Sequence, residues 1–363
     1  MNENETLEML SIEYLKSYFS INSYIGCTIN CAYCFLAPIK IVPMRPIKVI
    51  DEYELIDKML LNPYFETDKT VISINNRTDP FINNEVKKST FKLLEIMDNR
   101  GLKNIVTITS KGLLTKDDAK YLDKFKNIKI VIIVTYNGIP KNIQPIDQSI
   151  QEQTMKNISS CKNVKLLHQF RPIIPGINDD EKVIRSVINY AKKYCNATIY
   201  QGIRVNKFIH KRLLNRNYLY EGIFDQHKQK SREVDSVFNK IFNEDDSYSI
   251  FDHTSCCLSY LFDDFDYNLH FLKYNCNTSC PNINKCKNYC LHLPSNIKYI
   301  LKKIGIKCSY EICDGVLNIY GSLSDEQKSY IKHNLRLPVK SETRENTFSE
   351  KLMEDNYEYK NIL

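Results

Sequence analysis

Residues Cys27-Thr28-Ile29-Asn30-Cys31-Ala32-Tyr33-Cys34-Phe35 place three cysteines at C-x3-C-x2-C spacing, directly after an apolar, aromatic run from Tyr18 to Ile25. Three thiolates on one short loop suit a single iron–sulfur cluster of four irons. Such clusters are ordinarily held by four cysteines, so three leave one iron with an open position for a small molecule. Zinc is a poorer match. It takes four ligands, usually in paired knuckles, and no further cysteine or histidine lies within the next hundred residues. A disulfide framework belongs to short secreted chains. This chain has 363 residues and starts Met1-Asn2-Glu3-Asn4-Glu5, without the basic-then-apolar layout of a signal peptide.

Working outward, 43% hydrophobic and 26% charged residues predict an ordinary globular protein, long enough for one large domain and a smaller one. No apolar run of about eighteen residues exists, so no membrane span is expected. Thirteen cysteines without a secretion signal point to metal ligation in the cytoplasm. The net charge of +7 suits a polyanionic partner. The chain is also rich in Lys, Asn and Ile and has no Trp, a bias typical of AT-rich genomes, so charge alone selects no partner.

Leu7, Leu10, Ile12 and Leu15 predict an amphipathic lead-in helix within residues 1–17. Residues 18–205 then alternate. Strands are predicted near 18–25, 71–74, 105–109, 130–135, 165–172 and 197–204, and helices near 51–62, 85–100, 114–125, 150–160 and 180–194. Six parallel strands with right-handed crossovers curl into a partial (β/α)6 TIM-like barrel. In such folds chemistry sits at the carboxyl ends of the strands. The cysteine loop follows strand one. Strand two is followed by Asn75-Asn76-Arg77-Thr78-Asp79-Pro80-Phe81, strand three by Thr109-Ser110-Lys111, and strand five by Arg171-Pro172-Ile173-Ile174-Pro175-Gly176-Ile177-Asn178-Asp179.

The cysteine loop, with an aromatic before its last cysteine, resembles the signature of radical S-adenosylmethionine (SAM) enzymes. The Thr78-Asp79-Pro80-Phe81 segment, the Lys111 segment and the Pro172-to-Asp179 segment are similar to the spore photoproduct lyase-like branch of that family. The likeness spans residues 18–205, and the Gly-Gly-Glu segment common in the wider family is missing. The resemblance implies an open (β/α)6 barrel, a [4Fe-4S] cluster on Cys27, Cys31 and Cys34 that chelates SAM, and one-electron cleavage to methionine and a 5′-deoxyadenosyl radical. An electron donor such as flavodoxin or ferredoxin is implied with it. Asp79, Lys111, Arg171 and Gly176 are then the candidate SAM-binding residues. Asp79 would accept from an ammonium or ribose, Lys111 would pair with the methionyl carboxylate, and Gly176 would let the backbone approach the adenine. Each also has a plain reading, as a turn residue or a solvated charge.

Residues 206–250 read as a basic helical connector, with Lys207, His210, Lys211, Arg212, Arg216, Lys228, Lys230 and Arg232 among Phe208, Tyr218 and Tyr220. Basic residues among aromatics can track a nucleic-acid strand or simply form a solvated face. Cys161 and Cys195 stand alone and read as small buried hydrophobes. Residues 251–340 form a small cysteine-rich C-terminal domain. Cys276, Cys280, Cys286 and Cys290 are the expected ligands of an auxiliary [4Fe-4S] cluster, with zinc as competitor. Cys256, Cys257, Cys308 and Cys313 leave room for a different four. Cys256 and Cys257 are the candidates for a cluster ligand or a thiol returning a hydrogen atom to the substrate. Residues 341–363 read as a polar tail. The sequence thus describes a radical SAM enzyme acting on a peptide or a nucleic acid. The alternative is a non-catalytic zinc or iron–sulfur regulator that binds nucleic acid.

Overall fold

A computed structural model of the chain describes residues 7–222, 232–245, 247–272, 276, 280–288 and 296–342. The chain divides into two compact units. One comprises Met1–Glu13, Tyr18–Leu61 and Phe65–His253, and the other Tyr14–Ser17, Asn62–Tyr64 and Thr254–Leu363.

The larger unit is built on one sheet. Its first strands are β1 (Ile12–Tyr14) and β2 (Phe19–Ile21), and a short antiparallel pair, β3 (Tyr24–Ile25) with β4 (Ile47–Lys48), flanks the cysteine loop. β5 (Ile72–Ile74), β6 (Ile105–Ser110), β7 (Lys129–Thr135), β8 (Val164–Ile173), β9 (Ala197–Gly202) and β10 (Ser249–Phe251) complete an eight-stranded sheet in the order β1-β2-β5-β6-β7-β8-β9-β10. The pairings from β2 through β10 are parallel. β7 reads Lys-Ile-Val-Ile-Ile-Val-Thr and is buried everywhere after Lys129. That is the composition of a strand covered on both faces. Helices α1 (Glu52–Leu61), α2 (Asn84–Asn99), α3 (Lys116–Leu122), α4 (Gln148–Ile158) and α5 (Glu181–Ala191) fill the crossovers. Their starts are chemically marked: Asn83, Thr115, Asp147 and Asp180 each accept a hydrogen bond from a first-turn amide. This is the mostly parallel α/β architecture of a partial TIM-like barrel.

Two differences from the sequence reading concern its start. Ile12–Tyr14 is an edge strand rather than part of a lead-in helix, and Leu7 and Leu10 pack against the cysteine loop instead. Nine residues of weak periodicity are too few to hold a helix against the pull of an adjacent sheet edge. The run from Tyr18 to Ile25 is two strands, not one. Asn22 and Ser23 interrupt it, fully buried, with Asn22 Nδ2 donating to the Leu10 carbonyl (2.8 Å) and the Ser23 amide donating to Asn75 Oδ1 (2.9 Å).

α6 (Lys207–Leu214) and α7 (Arg232–Glu244) follow β9. They lie within the larger unit, which runs on to His253. Phe238 of α7 stacks on Tyr200 of β9 at 4.0 Å and meets Phe170 of β8 edge-on at 5.7 Å.

The second unit holds α8 (Thr254–Leu261), α9 (Ile283–Lys287), α10 (Ile297–Lys303) and α11 (Asp325–Leu335), and a three-stranded sheet. In that sheet β11 (Tyr310–Cys313) runs antiparallel to β12 (Val316–Tyr320), and β12 parallel to β13 (Val339–Glu342). Ser324 and Gln327 form the capping box that starts α11. The fully buried Tyr330 ring packs edge-on against Tyr64 (5.6 Å) and Tyr14 (6.1 Å). Of the expected polar tail, Ser341 and Glu342 belong to β13, and 343–363 lie outside the described residues. Among the described residues no helix is long and apolar enough to cross a membrane.

Candidate active site and the cysteine cluster

The cysteine loop is shaped by its backbone. Gly26 enters it at φ +107°, and a Cβ there would fall 2.7 Å from Met44 Cε and 2.9 Å from the Arg45 carbonyl, so only glycine fits. Asn30 takes a left-handed turn at φ +61° within the x3 gap. The Cys34 amide donates to the Cys31 carbonyl (3.1 Å) and closes the x2 gap. The Gly26 amide donates to Arg77, Cys27 to Ile41 and Ala32 to Ile143, which ties the loop to three other segments. Cys27 and Cys31 are buried and Cys34 half-buried, and none is in a disulfide.

The thiols lie in one electrostatic neighbourhood. Burial pushes Cys27 up to about 12, helped by the Asp79 carboxylate and by Cys31 and Cys34. Burial raises Cys31 and Cys34 as well, and Lys111 opposes both shifts. Three mutually coupled thiols beside a cation fit a cationic metal cluster, because bound iron supplies the positive charge that deprotonates them.

The strand-end residues gather at this loop to different degrees. Lys111 lies beside the thiols, its Nζ 5.9 Å from the centre of the Tyr33 ring. Among the described residues no carboxylate pairs with it. Asp79 is buried, and its carboxylate already accepts from Ser110 Oγ (2.6 Å), the Lys111 amide (2.7 Å) and the Phe81 amide (3.0 Å). A carboxylate offers about four acceptor positions, so Asp79 works mainly to pin the end of β6 to the loop after β5. Arg171 stands two residues beyond Gln169 on the same face of β8, where Gln169 Oε1 accepts from Thr135 Oγ1 (3.0 Å). The Arg171 side chain is open to solvent yet ringed by protein, which lowers its pKa, and among the described residues no carboxylate pairs with it. Gly176 sits at φ +71° with nothing within 4 Å of an added Cβ, and its amide donates to Asp179 Oδ1 (2.8 Å). The turn itself explains this glycine.

Arg212 was not singled out by sequence. From α6 its Nη2 donates to Asn30 Oδ1 (2.7 Å) and the Cys31 carbonyl (2.9 Å), and its Nε donates to the Ala32 carbonyl (3.3 Å). Tyr220 is buried, and Tyr218 donates its hydroxyl to the Pro175 carbonyl (2.5 Å). The basic stretch thus spends Arg212 and two of its aromatics on holding the site, and leaves Phe208 exposed. Lys228 and Lys230 lie outside the described residues.

In the second unit α8 separates its adjacent cysteines. Successive helical residues point about 100° apart. Cys257 is wholly buried, while Cys256 is half-buried, with its sulfur within 4.8 Å of Asp266 and His270 ligand atoms. Asp266 accepts from the His270 amide (2.6 Å) and pairs with His270 Nδ1 (2.9 Å). Burial alone would raise its pKa, but hydrogen bonds from His270 and Ser255 outweigh that and hold it at about 2. The charges of Cys280, Cys276 and Cys286 all reach Cys256. Cys308 packs against Gly321, and Cys313 is exposed on β11. Cys290 lies outside the described residues.

Solved structures share the fold of this partial barrel. Spore photoproduct lyase complexed with dinucleoside spore photoproduct is similar at TM-score 0.53 and 12% identity, over 67% of this chain and 79% of that one. A variant of that lyase with bound AdoMet and dinucleoside spore photoproduct is similar at 0.52 and 12%, over 66% and 78%. Streptococcus suis SuiB bound to S-adenosylmethionine is a more distant structure, at 0.45 and 11%, over 75% and 56%. No protein-family model matches the chain, and no curated protein matches it.

Proposed function

We propose that the protein is a cytoplasmic radical SAM enzyme whose Cys27, Cys31 and Cys34 hold a [4Fe-4S] cluster. When bound, that cluster would supply one electron to cleave SAM to methionine and a 5′-deoxyadenosyl radical, which takes a hydrogen atom from the substrate. The observation that carries this reading is the convergence of three coupled thiols on a loop beside Lys111, a cation with no carboxylate partner among the described residues. Lys111 suits the methionyl carboxylate of SAM. Asp79 orders the β6 end that carries Lys111. Arg171 offers a second cation to an anionic group. Gly176 supports the turn beyond it. The second unit carries an auxiliary iron–sulfur cluster, and flavodoxin or ferredoxin supplies electrons. The substrate is a peptide or a nucleic acid, the latter in keeping with the dinucleoside bound by the similar lyase.

The test is cofactor cleavage. The anaerobically reconstituted protein with SAM and dithionite should release 5′-deoxyadenosine even without substrate. Replacing Cys27, Cys31 and Cys34 together by alanine should abolish the product, and an unchanged yield from that variant would overturn the assignment.

A further inference from the structure

We propose that Cys256 completes a four-thiolate iron–sulfur site with Cys276, Cys280 and Cys286, with the Asp266–His270 pair set against it. This rests on the auxiliary-cluster part of the reading above, and its choice of iron over zinc rests on the electron exchange proposed there.

The sequence favours four cysteines within fifteen residues because they are close along the chain. The fold supplies a different neighbour. Asn282, between Cys280 and Cys286, is 2% exposed and donates its side-chain amide to the Cys256 carbonyl at 3.1 Å. That bond draws the Cys256 end of α8 to the segment leading into α9. The Cys286 amide donates to the Asn282 carbonyl (3.0 Å), which fixes the turn carrying the last of the three. Cys256, Cys276 and Cys286 feel one another's charge or that of Cys280, and all four thiols feel Asp266. The adjacent Cys257 is affected by burial alone. Its place on α8 turns it into the core, so the pair cannot serve one centre together.

One further feature suits bound metal. His270 has its Nδ1 engaged by Asp266 (2.9 Å) and within 3.2 Å of Ser255 Oγ. A carboxylate–histidine pair of this kind characteristically surrounds a metal site and sets the local charge. With four sulfurs available, His270 is left to that outer position. Four thiolates satisfy zinc and iron equally. Iron is the assignment because the chain's other site exchanges an electron, which a second redox centre can relay.

The experiment uses the full chain with Cys27, Cys31 and Cys34 replaced by alanine, reconstituted anaerobically with iron and sulfide, so that all bound iron belongs to the second unit. This parent is expected to hold about four irons per chain. Adding Cys290→Ala or Cys257→Ala should leave that iron in place, and adding Cys256→Ala should remove it. Cys256→Ser, closer in size, covers the case in which the alanine variant fails to fold. It should give a folded chain whose reduced cluster has a changed or lost electron paramagnetic resonance signal. Full iron with an unchanged signal in Cys256→Ser would overturn the proposal. So would iron lost from Cys290→Ala but kept in Cys256→Ala, equal loss from Cys256→Ala and Cys257→Ala, or a parent that holds zinc and no iron. None of these outcomes bears on whether the unmodified protein cleaves SAM.

Discussion

Arg212 braces the cysteine loop through three hydrogen bonds to Asn30, Cys31 and Ala32. Bonds from a charged donor contribute about 1.5–3 kcal/mol each when made, and less when water can replace them. Arg212→Ala should therefore leave the barrel folded but loosen the loop. Its iron content on the triad should fall several-fold relative to the neighbouring Lys211→Ala, measured after desalting the reconstituted protein. Equal retention in the two variants would remove Arg212 from the site. The sequence could not single it out, because its partners lie about 180 residues away and it stands among other basic residues. The three cysteines and Lys111 were legible because their chemistry is local: a spacing and a strand end. His168 shows the same divide. It is fully buried between Thr198 Oγ1 (2.9 Å) and the Tyr136 carbonyl (2.6 Å), and burial lowers its pKa from 6.5 to about 4. The folded chain therefore keeps it neutral, while the unfolded chain protonates it below 6.5. Its contribution is complete above pH 6.5 and is lost as pH falls toward 4, roughly 3 kcal/mol over that span. Urea melts of the cluster-free chain at pH 7 and pH 5 should show a smaller acid loss in His168→Gln than in its parent. Parallel losses would contradict the burial argument.

Among elements, the central strands and their helices were readable from period and composition. β7 is nearly all β-branched, and α2 to α5 carry N-cap side chains. What the pattern missed are short elements made by their neighbours. β1 and β10 are three residues each and exist because the sheet offers an edge. The Asn22-Ser23 break is set by Asn75, which reaches it from the next strand end. α7 packs on the sheet through Phe238, and its buried Val234, Phe238 and Ile241 recur at helical spacing. Phe238 is 1% exposed, and Phe238→Ala should cost about 3–5 kcal/mol of unfolding free energy. The exposed Phe208→Ala on α6 should change stability by less than about 0.5 kcal/mol. Similar midpoints for the two in denaturant would show that α7 is not part of the folded barrel.

The larger unit brings the cysteine loop together with the strand ends that carry Asp79 and Lys111, and the second unit holds further cysteines. Lys111→Ala should raise the KM for SAM about tenfold or more with the triad iron unchanged, the cost of roughly 1.4 kcal/mol or more expected for a charged pairing. An unchanged KM would leave the cation without that role. The central claim is that the triad's cluster binds SAM directly at an open iron. Electron paramagnetic resonance of the dithionite-reduced protein tests it, recorded with and without SAM on a chain in which Cys256, Cys276, Cys280 and Cys286 are replaced by alanine. The account predicts one cluster signal that shifts on adding SAM and vanishes when Cys27, Cys31 and Cys34 are also replaced. A signal that is identical with and without SAM would contradict it.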